Sequence, residues 1–332
     1  MRWLVFITVV TLVGCTKTKS DFVGTGQPTA VPLGLPPVPN PAPAAAIALG
    51  KKLFFTPALS VDGSMSCASC HQPEKCLADS RPVSPGVKGG LGNRNAPSVW
   101  NAVYQQSQFW DGRASSLEAQ ASGPILNAIE MGHSASGAVA GAQALPEMRQ
   151  MMAAAYGDET VTMDRIARAI AAYEQTLVRG NSPFDRFVFG GDKTALSAEA
   201  QRGLELFRGK ANCATCHLIG KDNALFADHQ FHNLGLGMDP AGELTDLGRF
   251  KVSGVEKDKG AFRTPSLRNV AETAPYMHDG SLKTLKEVVD FYVGGGNANP
   301  QLDPLIRPLT LFTRQERADL VAFLESLTGD VP

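Results

Sequence analysis

Two copies of the pentapeptide Cys-x-x-Cys-His, at Cys67, Cys70 and His71 and again at Cys213, Cys216 and His217, constrain this chain more than anything else in it. Paired thiols at that spacing can add across the two vinyl groups of a porphyrin, and the adjacent histidine then reaches the iron as its proximal ligand. A thioredoxin-like redox pair and a zinc site are the competing readings. A lone Cys-x-x-Cys would favour the first, while zinc wants four convergent ligands. Similar stretches precede both motifs, Ala48-Leu49-Gly50-Lys51-Lys52-Leu53-Phe54-Phe55 and Arg202-Gly203-Leu204-Glu205-Leu206-Phe207, which makes them parts of an internal repeat. The repeat selects two covalently attached haem c groups, and with them electron transfer or redox catalysis.

The N-terminal end reads as an export signal. After Met1-Arg2-Trp3, an apolar run from Leu4 to Val13 is too short to span a bilayer well and ends in Leu12-Val13-Gly14-Cys15. It resembles a bacterial lipoprotein signal, in which Cys15 becomes the lipidated first residue of the mature chain. An ordinary cleaved signal is the alternative, and both export the protein. The expected location is the periplasm, with Cys15 as a membrane anchor, and covalent haem assembly outside the cytoplasm agrees with it. Residues 16–43, rich in Pro, Gly, Thr and Ala, read as an extended tether.

The remaining roughly 290 residues suffice for two domains of about 140 each. Repeat spacing favours two, an N-terminal haem domain over 44–190 and a C-terminal one over 191–332, divided near 180–195. With a net charge of −1 and no basic tract, nothing points to nucleic acid.

Periodicity predicts a helix over 163–174, with Ile166, Ile170 and Tyr173 on one face. Thr313 caps another, with Glu316 at the third position, an apolar stripe of Leu320, Phe323, Leu324 and Leu327, and Gly329 as the stop. Leu285, Val288, Val289 and Tyr292 share one side of a third. Segments such as Ser84-Pro85-Gly86 and Gly89-Gly90-Leu91-Gly92-Asn93 are loops. Strand-like alternation is sparse. The expected fold is mainly α, two cytochrome c-like haem domains with long ordered loops.

Beyond the haem motifs, the chain carries Arg94-Asn95-Ala96-Pro97-Ser98-Val99, Gln108-Phe109-Trp110-Asp111-Gly112-Arg113, Gly123-Pro124 and Glu130-Met131. Its second half adds Phe262-Arg263-Thr264-Pro265-Ser266-Leu267-Arg268-Asn269-Val270, Thr273-Ala274-Pro275-Tyr276 and His278-Asp279-Gly280. In these stretches it resembles the bacterial dihaem cytochrome c peroxidase and MauG family over nearly all of its length after the tether. The resemblance implies that the N-terminal haem reacts with hydrogen peroxide while the C-terminal haem stores or relays electrons. Val87 stands where typical peroxidases carry a distal histidine, so the first iron is expected to keep an open sixth position unless His133 or a cysteine intrudes.

The family's distal Gln and Glu fall on Gln120 and Glu130, with Pro124 between them. Peroxide must lose a proton at one oxygen and gain one at the other, so Glu130 is expected to act as acid and base, with Gln120 orienting the bound oxygen. A typical sixth ligand of the second haem, a methionine, is replaced by Tyr292, as in MauG; Met277 and Met238 are alternatives. Trp110 matches the family's tryptophan between the haems, with core packing as its plainer role, and Trp100 reads as packing. The resemblance also implies a calcium ion held by the Asn95 side chain and the carbonyls of Thr273 and Pro275.

The leading expectation is an exported dihaem c-type oxidoreductase that reduces hydrogen peroxide at the N-terminal haem, with electrons delivered through the C-terminal haem from a small redox protein, a cytochrome c or a cupredoxin. A MauG-like maturation enzyme, using high-valent dihaem iron to oxidise side chains of a partner protein, is the alternative that Val87 and Tyr292 favour. Ala211 stands where MauG has a surface tryptophan, which counts against a strict MauG role. A non-catalytic dihaem electron carrier is the third reading, and a homodimer is compatible with the resemblance. Cys76 is either a buried small hydrophobe or a redox-sensitive thiol.

Overall fold

The glycines inside the repeat explain why it repeats. Helix α1 (Ala44–Phe55) crosses a later helix at Gly50, where a Cβ would lie 1.7 Å from the carbonyl oxygen of Ala169. The matching glycine of the second copy, Gly203, meets the carbonyl oxygen of Asp319 with a Cβ distance of 2.0 Å. In each half a helix preceding the haem motif is pressed against a helix that follows it, and only a residue without a side chain permits that approach. The computed structural model describes residues 31–330. The signal segment 1–15 with Cys15, and residues 16–30 of the tether, lie outside the described residues.

Helices follow in order: α2 (Cys67–Cys70), α3 (Leu117–Leu126), α4 (Ala135–Gln143), α5 (Met148–Tyr156), α6 (Met163–Glu174), α7 (Pro183–Val188), α8 (Ala198–Arg208), α9 (Phe250–Ser253), α10 (Leu285–Gly294) and α11 (Arg314–Glu325). Two short strands, β1 (Phe231–Asn233) and β2 (Ala261–Arg263), pair antiparallel with His232 opposite Phe262. The fold is mainly α with two domains. Among the described residues, no helix is long and apolar enough to cross a membrane.

Capping fixes the helix starts. The Thr162 side chain accepts from the Arg165 N–H at the start of α6, and Thr284 with Glu287 and Thr313 with Glu316 form capping boxes on α10 and α11. The expected stripe on α11 is buried, and each such Leu or Phe contributes ~1.5–3 kcal/mol. Gly329 is not the stop. Helix α11 ends at Glu325 with Ser326 as its cap, and Gly329 instead packs on the Gly180 carbonyl, where a Cβ would sit 2.3 Å away.

Apolar side chains divide into two cores. One gathers α1, α3, α4, α5 and α6 down to Leu177, and the other starts at Phe184 and gathers α8, α10 and α11. Phe184 stacks edge-on with Phe226 and Phe323, so α7 packs with the C-terminal core although it precedes residue 190. The tether expectation needs a correction at its end. Leu35 is buried, the Gly34 carbonyl accepts from Arg268, and the Leu33 carbonyl accepts from the Asn181 N–H at 2.9 Å. Residues 32–36 are therefore packed against the body, because a leucine and two carbonyls find partners there.

A largely buried ion pair ties the two halves, Arg94 holding Asp246 at 2.7 Å as well as Asp111 at 2.6 Å, and within the C-terminal core Arg268 holds Asp185 at 2.9 Å with both side chains at most 1% exposed. Such pairs add little net stability against an apolar alternative, yet losing one partner strands a charge, so they fix the relative placement of what they join.

Candidate functional site

Both attachment motifs position their histidine in the same way. In the first, Ser66 and Ser69 form a capping box around α2, and the His71 N–H donates to the Cys67 carbonyl at 2.9 Å. His71 Nδ1 faces the Leu77 carbonyl at 3.3 Å, and His217 Nδ1 faces the Phe226 carbonyl at 2.8 Å. A carbonyl only accepts, so Nδ1 carries the proton and Nε2 is left bare for a metal. Burial holds both imidazoles below their usual pKa, which favours the neutral, ligating form. Leu77 and Phe226 both have positive φ, which turns their carbonyls toward the ring.

Around the first motif the structure gathers three of the expected groups, Val87, Pro124 and Glu130. Val87 is 3% exposed, and its N–H donates to the Glu130 carbonyl at 2.9 Å. Glu130 Oε1 accepts from Asn127 Nδ2 at 2.8 Å. Burial pushes the Glu130 carboxyl above its ordinary range, with Arg113 and Asn127 pulling the other way. The Cys70 thiol is raised by burial and further by Asp79 and Glu130, which places Glu130 within electrostatic reach of the motif. Gln120 and Pro124 stand one helical turn apart on α3, and the Pro124 carbonyl accepts from the Met131 N–H at 3.1 Å, closing the loop that carries Glu130. His133 lies against α4, where its ring would clash with any Cβ at Gly137.

Around the second motif the walls differ. Cys213–Thr215 form a single tight turn, beside a cavity of about 310 Å³. His217, Tyr292, Met277 and Trp110 all line it; Met238 is not among its lining residues. Burial, with the Cys213 and Cys216 sulfurs, pushes the Tyr292 phenol far above its usual pKa. Without a cation it is a phenol. Ala211 is buried and lines the same cavity.

Asn95, Thr273 and Pro275 also reach this cavity, Pro275 after a cis bond from Ala274. Trp110 Nε1 donates to the Asn95 carbonyl at 2.8 Å, and the Asn95 N–H donates to the His278 carbonyl at 2.7 Å. Trp110 is thus held by the segment that carries the expected calcium ligand. Trp100 is buried with the Arg179 guanidinium 6.0 Å from its ring, as packing would have it. Cys76 is fully buried, with Sγ 2.9 Å from Glu272 Oε2 and 3.6 Å from Arg179 Nη1.

Two polar residues escaped the sequence reading. Glu174 is 5% exposed, Oε2 has no hydrogen-bond partner, and burial with Glu118 nearby lifts its pKa to about 8. Its signal was legible, since Glu174 continues the Ile166, Ile170 spacing and so falls on the apolar face of α6. His232 is bracketed by Asp228 on Nε2 at 2.9 Å and Asp303 on Nδ1 at 2.5 Å. The Cys216 sulfur, then Asp303 and Asp228, raise it to about 10. Cys216, Asp228 and His232 bring their ligand atoms within 4.8 Å of one another, but an imidazole protonated on both nitrogens offers a metal no lone pair.

These donors suit a haem. Two imidazoles bare at Nε2, thiol pairs beside each, a largely apolar cavity and the buried cation of Arg263 lining it match an iron porphyrin with its vinyl and carboxylate substituents.

Residues 44–194 match the family model of di-haem cytochrome c peroxidase, and residues 200–328 match that of cytochrome c. The methylamine utilization protein MauG of Methylorubrum extorquens is 41% identical over 295 residues, covering 89% of this chain and 81% of its own. The cytochrome c551 peroxidase of Pseudomonas aeruginosa is 38% identical, covering 86% of this chain and 79% of its own. Among solved structures, a MauG-like protein associated with microbial copper homeostasis superposes with a TM-score of 0.78 at 36% identity, covering 91% of this chain and 95% of that one. The diheme peroxidase BthA of Burkholderia thailandensis superposes with a TM-score of 0.75 at 28% identity, covering 91% and 96%. The chain belongs to the bacterial di-haem cytochrome c peroxidase and MauG family and is a peroxidase-type oxidoreductase that uses two haems.

Proposed function

We propose that this family member reduces hydrogen peroxide at the His71 site, with electrons arriving through the His217 site from a small cytochrome c or cupredoxin. The observation that carries the proposal is a carboxyl group with a raised pKa, Glu130, held near the first motif with its carbonyl bonded to the buried Val87. Attached through Cys67 and Cys70 and through Cys213 and Cys216, haem would supply the redox chemistry of peroxide reduction.

Val87 has no lone pair, so it would not ligate a haem iron held by His71 and would leave room for peroxide. Glu130 takes a proton at one carboxylate oxygen and returns it to the departing oxygen of peroxide, and its raised pKa brings it nearer the pH at which such a relay works best. Gln120 orients peroxide through its carboxamide. Pro124 shapes the loop that presents Glu130. Trp110 lies on the route between the sites, and its indole is readily oxidised. Tyr292 would hold the second haem iron through its phenol oxygen, against the burial that favours the protonated phenol. Asn95 Oδ1 with the Thr273 and Pro275 carbonyls would hold a calcium ion, which would brace the Trp110 segment.

Val87 and Tyr292 together also support a second reading, oxidation of side chains on a partner protein. Ala211 counts against it, because a buried methyl group offers no exit for oxidising equivalents. The proposal includes export to the periplasm, a lipid anchor on Cys15 and a homodimer. The test is peroxide-dependent oxidation of a reduced cytochrome c or cupredoxin by the purified diferric protein. Turnover that Glu130→Gln suppresses is expected; a protein that leaves peroxide untouched in the presence of either donor sinks the proposal.

A further inference from the structure

Three arginines of the described residues are almost wholly buried, and one differs from the other two. Arg179 pairs with Glu272 and Arg268 with Asp185. Arg263, 3% exposed, has no carboxylate within ion-pair distance among the described residues. Its side chain reaches only two carbonyls, Nε to Phe109 at 3.4 Å and Nη1 to Thr264 at 3.2 Å. Five N–H donors and a full charge are thus left mostly unsatisfied, which a protein interior does not tolerate without an anion. Burial alone pulls the guanidinium down to about 10, with no acidic neighbour to restore it. The side chain lines the cavity shared by Cys213, Cys216 and His217.

We infer that Arg263 is the anion clamp of the second haem, its guanidinium binding a porphyrin propionate against the peptide segment that carries Trp110. This rests on the reading that haem is attached at Cys213 and Cys216, and it assigns a partner to a charge which that reading leaves open. Thioether bonds hold one edge of the macrocycle, and the propionates leave from the edge remote from the vinyls. Arg263 comes from β2, an element carrying neither thiol. A planar fork of donors matches a carboxylate in two parallel hydrogen bonds, which an ammonium cannot do. The backbone joins the clamp to the route between the sites, since the Arg263 N–H donates to the Trp110 carbonyl at 2.8 Å. One residue therefore sets the charge next to the second haem and the position of the indole beside it.

The test begins with the mass of the denatured wild-type chain. Two haem increments support covalent attachment, and their absence removes the premise rather than the clamp. On the holoprotein, Arg263→Gln should lower the reduction potential of the second haem relative to the first, because an uncompensated propionate favours ferric iron. Arg263→Lys keeps the charge, so its potential should stay near wild type while the propionate-bending band in the resonance Raman spectrum moves as the forked contact is lost. An unchanged potential in Arg263→Gln overturns the inference. Should that variant fail to accumulate, Arg263→Lys decides: a displaced bending band supports the clamp, and an undisturbed one ends it.

Discussion

The two haem-motif regions share a proximal side and differ in everything facing it. His71 and His217 are both fixed through Nδ1 by a carbonyl from a residue with positive φ. Near the first lies a carboxyl group with a raised pKa, its carbonyl bonded to a buried valine; a buried phenol and a thioether line the cavity of the second. Proximal geometry makes each site a place for iron. On the proposed function, the surrounding groups decide whether a site handles protons and a small oxidant or only electrons, so a duplicated unit would reach two roles by changing a few side chains.

Glu130→Gln should break that contrast most severely. It removes the proposed acid and base of the first site and is expected to slow peroxide reduction by about 10²–10⁴-fold, with haem content unchanged, as read by stopped-flow mixing with peroxide. If the rate stands, the distal carboxyl is not what separates the two sites.

Next in size is the tie that holds the C-terminal core to residues 32–36. Replacing Asp185 by Ala strands the Arg268 charge in a place where both side chains are at most 1% exposed, and should cost about 3–5 kcal/mol in denaturant unfolding. The same substitution at the half-exposed Asp158, paired with Arg165, should cost far less.

Trp110→Phe keeps the packing and removes the readily oxidised ring together with its hydrogen bond to the Asn95 carbonyl. Electron transfer between the sites should slow, while the first site's reaction with peroxide keeps its rate. Rapid-scan spectra of the half-reduced protein distinguish the two steps.

The smallest expected effect concerns Glu174. Its folded pKa of about 8 lies above the ordinary 4.5, so the native state keeps a proton that the unfolded chain loses. Stability from this group is fully present below about pH 4.5 and is lost as pH rises through about 8. Glu174→Gln should match the parent near pH 4, exceed it at pH 8 and have a flatter profile between, measured as thermal midpoints.

Much of the fold was legible because local rules and tertiary packing agree. Helix α6 spans Met163–Glu174 as its periodicity predicts, and α11 starts at its Thr313 and Glu316 box. Residues 32–36 and the place of α7 were not legible. Proline and glycine composition reads as linker whether or not a partner surface exists, and nothing local says which core Phe184 will join. Within the site, the spacing of Cys67, Cys70 and His71 announced itself, whereas the bracketing of His232 by Asp228 and Asp303 joins residues far apart in the chain and left no short-range trace.

The amino-acid order by itself determined that there are two attachment motifs, that helices surround them, and which residue types can face each one, because those properties depend on spacing over a few residues. Only the tertiary structure decided which carbonyl orients each imidazole, which carboxyl groups keep their protons and which buried cation has no carboxylate partner among the described residues. Burial and the electrostatic surroundings of a group are set by atoms brought together from distant segments, and no local stretch of sequence encodes them.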